Sequence, residues 1–203
     1  MTRPLLRCYL AGPDVFLPDP EARGARLKEI CARHDIAGVF PLDPLQDDEP
    51  EAWAALPPAG RIALRNEAHI RGCDALVANL TPFRGPSADA GTVFELGFMR
   101  ALGRPVSGWT NVAADFTART LAHVGIAKAK TVGRDADGMA VEAFGCVDNL
   151  MLDGAILASG GCLVVANIAP AARWSDLGAF EACIARLAAV LPRPVAVAGP
   201  APP

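Results

Sequence analysis

The sequence predicts an α/β protein, a doubly wound parallel sheet of about five strands with helices on both faces. Two observations carry that expectation. Short apolar runs alternate with longer segments of helical character, the pattern left by strands joined through crossover helices. The chain also has 203 residues, 52% of them hydrophobic, so one domain can bury well over half of its unfolded surface without disulfides or a metal.

The elements follow in order. The run LRCYLA marks a strand over Leu6 to Ala11, and a helix follows over Pro20 to His34. A strand over Gly38 to Pro41 leads to a helix over Gly60 to Gly72. The run ALVAN marks the third strand, Ala75 to Asn79, before a helix over Gly91 to Leu102. The fourth strand is read over Pro105 to Trp109. The segment Gly133 to Gly145, centred on Asp135-Ala136-Asp137-Gly138, reads as a surface turn inserted before the fifth strand. A helix over Asp148 to Ala158, a strand over Cys162 to Ala166 and a helix over Ser175 to Val190 complete a single domain, residues 1–191. From Pro192 onward five of twelve residues are proline, so 192–203 is expected to be an extended tail.

Nineteen Lys and Arg against 22 Asp and Glu leave a formal charge of −3. That is no footprint for nucleic acid or an anionic membrane. No apolar run approaches the roughly 18 to 20 residues of a spanning helix, and Met1 to Pro4 lead into a strand-like run instead of a signal peptide. A soluble, cytoplasmic protein is expected. None of the six cysteines forms a C-x-x-C pair, and His34, His69 and His123 lack metal-ligand spacing, so neither a metal site nor a disulfide framework is expected.

In such sheets ligands bind beyond the carboxyl ends of the strands, which directs attention to the loops Gly12 to Asp19, Leu42 to Pro50 and Leu80 to Ala90. The first strand ends in Gly12-Pro13-Asp14. Neither G-x-G-x-x-G nor G-x-x-x-x-G-K-S/T occurs in the chain, which removes the usual support for dinucleotide and triphosphate chemistry. Gly85-Pro86-Ser87-Ala88-Asp89 misses the nucleophile elbow G-x-S-x-G in its last position.

What remains is carboxylate. Asp14, Asp43, Asp74, Asp89 and Glu95 all fall at or near predicted strand ends, which suggests acid, base or nucleophilic work. The centre is Asp89-Ala90-Gly91-Thr92-Val93-Phe94-Glu95-Leu96-Gly97. Two readings of Glu95 are open. The helix dipole favours an ionised acid in a first turn, the form a nucleophile needs. Thr92 to Glu95 is also a capping box, T-x-x-E, in which the acid only bonds back to the backbone. Asp89 can likewise be a loop acid, Asp74 a cap or turn residue, Tyr9 a half-buried strand residue and Asn149 a helix-terminal polar group.

Four motifs then occur in order: Tyr9-Leu10-Ala11-Gly12-Pro13-Asp14-Val15-Phe16, Cys73-Asp74-Ala75-Leu76-Val77-Ala78-Asn79-Leu80-Thr81-Pro82-Phe83-Arg84-Gly85, Asp89-x-Gly91-Thr92-x-x-Glu95-Leu96-Gly97 and Asp148-Asn149-Leu150-Met151-Leu152. Together the sequence resembles the nucleoside 2-deoxyribosyltransferases. The resemblance implies a flavodoxin-like, Rossmann-like sheet and a transfer of deoxyribose between nucleobases through a covalent ester on Glu95. It places Tyr9 beside the nucleophile, Asp74 as proton donor to the base, and Asp89 on the sugar hydroxyls. Asn149 reaches the same hydroxyl from a neighbouring subunit. Phe16 packs on the base, Gln46 recognises it, and Gly12 and Asp14 complete the substrate-binding set. The implied partners are 2′-deoxynucleosides and free purine or pyrimidine bases in a homo-oligomer, a dimer or hexamer, with no cofactor.

Two alternatives stay beside it. One is a 2′-deoxynucleoside 5′-monophosphate N-hydrolase, against which Asp14 and Asp89 would set like charges. The other is a nucleotide-binding module without chemistry, which would need no nucleophile.

Overall fold

The computed structural model describes residues 6–125, 134–135 and 137–191; the proline-rich tail, 192–203, lies outside them. Five strands form one all-parallel sheet: β1 (Leu6–Ala11), β2 (Ile36–Val39), β3 (Ala75–Asn79), β4 (Val106–Thr110) and β5 (Leu163–Val165), in the order β2-β1-β3-β4-β5. Every position of β3 and β4 is buried, as expected of strands covered by helices on both faces.

Alternation along β1 sorts its side chains between two cores. Cys8 and Leu10 join a cluster with α1 (Pro20–Ala32) and α6 (Gly178–Val190) on one face. Tyr9 and Ala11 join a cluster with α2 (Pro58–Arg71), α3 (Ala90–Ala101) and α5 (Leu150–Ala158) on the other. The chain leaves β1 for α1 on the first face and leaves the adjacent β3 for α3 on the second. That divergence opens the crevice where doubly wound sheets place ligands.

Most element ends differ from expectation by one to three residues, α6 starting at Gly178 instead of Ser175 and α5 at Leu150 instead of Asp148. Three differences bear on the site. β2 lies two residues earlier than read, because Asp35 turns the chain out of α1 at φ 58° and Phe40 leaves the ladder to donate its amide to Asp43 at 2.9 Å. A helix absent from the sequence reading, α4 (Phe116–His123), starts where Asp115 accepts from the Ala118 amide at 2.7 Å. α3 begins at Ala90, one residue earlier than expected. The described part of the inserted segment is a turn: an antiparallel bridge joins Arg134 to Ala140, and Asp135 accepts from the amides of Asp137 and Met139. No described helix is long and apolar enough to cross a membrane. Among the described residues no cluster of three or more His, Cys, Asp or Glu is arranged to hold a metal.

Candidate active site

Glu95 lies on α3 and is 8% exposed, facing Tyr9 of β1, which is fully buried. The Tyr9 hydroxyl donates to Glu95 Oε1 at 2.7 Å, and the Asn66 Nδ2 of α2 donates to the same oxygen at 3.2 Å. No donor among the described residues reaches Oε2. Two donors on one oxygen fix the carboxylate plane and leave the other oxygen to a ligand.

The structure removes both local reasons given for Glu95 in the sequence, the first-turn dipole and the capping box. Asp89 is the N-cap of α3, accepting from the Thr92 amide at 3.1 Å and the Thr92 hydroxyl at 3.3 Å. Thr92 therefore stands inside the helix and cannot head a T-x-x-E box. Glu95 falls in the second turn, beyond the strong part of the dipole. Burial dominates and raises its pKa to about 7. The Tyr9 hydrogen bond works downward, the Asp89 charge upward, and the Asn66 hydrogen bond downward. Burial and the facing carboxylate push the Tyr9 phenol well above its ordinary value, so Tyr9 stays a donor.

The loop after β1 is held from below. Asp14 is 3% exposed, pairs with Arg23 of α1 at 2.7 Å and accepts from Asn79 Nδ2 of β3 at 2.9 Å. Its charge is thus neutralised inside the fold. A side chain at Gly12 would begin 2.7 Å from the Asp14 carboxylate and 2.8 Å from the Asn79 Cβ, so glycine there lets the three groups close up.

A second hub joins Asp89 to Asn149. Asp148, fully buried, accepts from Ser87 Oγ, the Ala88 amide at 3.0 Å, the Asn149 amide at 2.8 Å and Arg119 of α4 at 3.2 Å. It ties the loop ending in Asp89 to the start of α5. Asn149 caps α5, accepting from the Met151 amide at 3.0 Å, and its Nδ2 donates to Glu142 at 3.4 Å.

The remaining expected residues are spread apart. Asp74 precedes β3 on the amino edge of the sheet, accepting from the Arg7 amide at 2.8 Å, and β3 carries the chain roughly 16 Å from there to the carboxyl edge. The expectation that Asp74 lies on the ligand-binding edge is corrected: its residue number is near a strand end, but the wrong end. Gln46 also lies toward the amino edge, because the loop after the short β2 folds back along α2, where His69 bonds the Asp43 carbonyl at 3.0 Å. There Gln46 lines a cavity of about 410 Å³ with Arg7, Trp53, His69 and Arg71. Phe16 stacks on Phe83 on the carboxyl edge, ring centroids 5.4 Å apart.

Sequence reasoning missed Asn66 and the hub role of Asp148. Asn66 was legible only through helical phase, since it stands four residues before the buried Ile70 and shares its inward stripe.

This arrangement has relatives. The sequence profile of the family described as nucleoside 2-deoxyribosyltransferase matches residues 8–151, which contain Tyr9, Asn66, Asp89, Glu95 and Asn149. An uncharacterised protein of Schizosaccharomyces pombe is 33% identical over 198 residues, covering 90% of this chain and 89% of its own. The solved structure of a 2-desoxiribosyltransferase from Leishmania mexicana is 32% identical, with a TM-score of 0.54 over 72% of this chain and 85% of that one. Family enzymes act on N-glycosidic bonds, and the buried carboxylate held by a tyrosine lies within the matched span: the chain belongs to the nucleoside 2-deoxyribosyltransferase family.

Proposed function

We propose that the chain exchanges the nucleobase of a 2′-deoxynucleoside by double displacement, with Glu95 as nucleophile. The observation that supports this most is the pair of donors on Glu95 Oε1, which leaves Oε2 to attack. In the first step Oε2 bonds to the anomeric carbon while the bond from that carbon to the base nitrogen breaks. The base leaves with its bonding electrons and takes up a proton from solvent. The second base reverses these events and restores the carboxylate, so two inversions give retention. Tyr9 and Asn66 hold the plane of the carboxylate throughout.

Asp89 fits the sugar hydroxyls in this reading: one of its oxygens caps α3 and the other is left for a neutral donor. Asp74 plays no part as proton donor, since it lies on the far edge. A second copy belongs to this reading. The neighbouring helices α3 and α5 expose Phe94 at 58%, Met151 at 69% and Leu157 at 81%, an apolar surface of the kind a second copy covers. Asn149 stands at its border, beside the half-exposed Leu150, where a two-fold contact brings it toward the partner's site.

The test supplies deoxyinosine with and without free adenine and follows the products by chromatography. Deoxyadenosine formed only with adenine, together with a deoxyribosyl mass increment on Glu95 after quenching with deoxyinosine alone, is the expected result. Free hypoxanthine released at the same rate with and without adenine, and no deoxyadenosine, overturns transfer.

A further inference from the structure

Two of the six cysteines meet on the face of the sheet opposite Tyr9 and Glu95. Cys183 of α6 is fully buried in the core that covers this face, and Cys162, the residue before β5, packs against the same core. Both are free thiols, and their sulfurs lie 3.7 Å apart. They stand 21 positions apart in the chain, so the fold alone brings them together.

The approach is fixed from both sides. The Cys162 amide donates to Ser107 Oγ of β4 at 3.0 Å, and the Gly108 amide donates to the Cys162 carbonyl at 2.9 Å. A side chain at Gly161 would overlap the Val106 carbonyl, so glycine there lets the chain enter β5 this close to β4. On the other side the Cys183 thiol reaches the Gly108 carbonyl at 3.5 Å. A disulfide holds its sulfurs about 2.05 Å apart. Closure from 3.7 Å therefore asks for about 1.7 Å of travel, within the reach of small rotations of the two side chains.

The two thiols are unequal. The contact with Cys183 holds Cys162 below the ordinary thiol value against the effect of burial, and the Ser107 hydroxyl and the Arg186 charge act in the same direction. The same contact, with burial, pushes Cys183 up. Cys162 is thus the side that takes the thiolate form, which is the nucleophile, and Cys183 the side that keeps its proton. The other cysteines are poorer candidates. Cys8, Cys31 and Cys73 are buried, and burial raises each of them. Cys146 is partly exposed like Cys162, but burial and the charges of Asp153 and Glu142 raise it.

We propose that Cys162 and Cys183 are a modification site, oxidised by a hydroperoxide to a reversible disulfide. The Cys162 sulfur attacks one peroxide oxygen and the O–O bond breaks. The departing hydroxide takes up the proton that Cys162 released, leaving as water and Cys162 as a sulfenic acid. The Cys183 sulfur then attacks the sulfenic sulfur, the S–O bond breaks, and hydroxide leaves with the Cys183 proton as a second water. Two thiols lose two electrons and one peroxide gains them. An external dithiol restores both thiols by exchange. A resolving thiol already in contact keeps Cys162 from the irreversible acids higher on the oxidation ladder. None of these steps uses Glu95, so this site and the base-exchange reading stand or fall separately.

The test treats the reduced full chain with hydrogen peroxide, alkylates the remaining thiols and digests with chymotrypsin, which cuts at Leu150 and Leu152 between Cys146 and Cys162. One peptide pair linking Cys162 to Cys183 is expected, with free thiols falling from six to four and returning to six in dithiothreitol. Cys162→Ser should consume peroxide about tenfold more slowly or worse, whereas Cys146→Ser reacts at the native rate. In Cys183→Ser, dimedone should label Cys162 as the trapped sulfenic acid. The proposal is overturned if peroxide links a different pair, joins two copies through Cys162, oxidises Cys146 first or leaves all six thiols free. It is equally overturned if Cys162→Ser consumes peroxide at the native rate. That variant changes only the partly exposed member of the pair, so the test survives a Cys183→Ser chain that fails to fold.

Discussion

Tyr9 donates its hydroxyl to Glu95 Oε1 at 2.7 Å between two buried side chains, and that hydrogen bond is the strongest influence holding the Glu95 pKa down against burial. Tyr9→Phe removes it while keeping the ring. The carboxyl pKa then rises further above about 7, and the acid limb of the kcat/KM profile for base exchange moves to higher pH. The variant is expected to lose about tenfold or more near pH 6, since a displacement of one pKa unit is a tenfold change in ionised fraction, and to recover part of that above pH 8. An unchanged profile would remove Tyr9 from the control of Glu95.

The same pKa makes a stability prediction with a definite sign. Glu95 titrates at about 7 in the folded chain, against an ordinary value of 4.5. Between those values the folded state holds a proton that the unfolded state has released, so stability falls as pH rises through that window. Its favourable contribution is complete below about pH 4.5 and gone above about pH 7. Glu95→Gln, which stays neutral, should therefore be more stable than the native chain at pH 8, by up to about 3 kcal/mol. The gap should close toward pH 4.5 in urea unfolding. A variant less stable at pH 8 would show that the carboxylate is well solvated.

Asp14 is expected to act on stability before substrate. Its partner Arg23 has a side chain only 9% exposed, and breaking a buried pair by removing one member costs about 3 to 5 kcal/mol. Asp14→Ala should lower the denaturation midpoint accordingly, with substrate present or absent. A midpoint that does not move, with a raised KM, would make Asp14 a ligand group.

The fold was legible because the apolar runs of β1 and β3 and the helices between strands are written in local composition. What failed was local context. β2 is only four residues long, so Asp35 and Phe40 decide its ends and send Gln46 toward the amino edge. α4 is short and carries no buried residue, which leaves no apolar stripe to read; its signal was the Asp115 cap. The motif around Glu95 located the candidate nucleophile, while its protonation depended on where α3 begins, a choice between Asp89 and Thr92 as cap that spacing leaves open. Asp74 shows the deeper limit, because a residue beside a strand reads the same at either end.

Asn66 and Asp74 separate by substitution. Asn66→Ala removes a donor to Glu95 Oε1 and should lower transfer by about tenfold or more while displacing the acid limb, as expected for a charge-assisted hydrogen bond of roughly 1.5 to 3 kcal/mol. Asp74→Ala, which loses only the exposed contact to the Arg7 amide, should transfer within about threefold of the native rate. The reverse ranking in single-turnover assays would return the proton-donor role to Asp74.

Assembly can be read from mixing. Asn149 caps α5 at the border of the apolar surface carrying Met151 and Leu157. If a partner supplies Asn149 to each Glu95, then Glu95→Ala and Asn149→Ala are each inactive alone. After subunit exchange, about half of the pairs are mixed, and each mixed pair holds one site with both residues intact and one with neither, so about a quarter of native activity returns. Asn149→Ala also removes a helix cap, which costs about 1 kcal/mol, so both variants are first matched for folded fraction by circular dichroism. Sedimentation before and after mixing shows that copies pair and exchange. Activity that stays absent although exchange is complete places Asn149 in its own chain's site, where Asp148 already ties it to the loop carrying Asp89. Full activity in a native chain that sediments as a monomer leads to the same placement, because a shared site vanishes on dilution and a site within one chain does not.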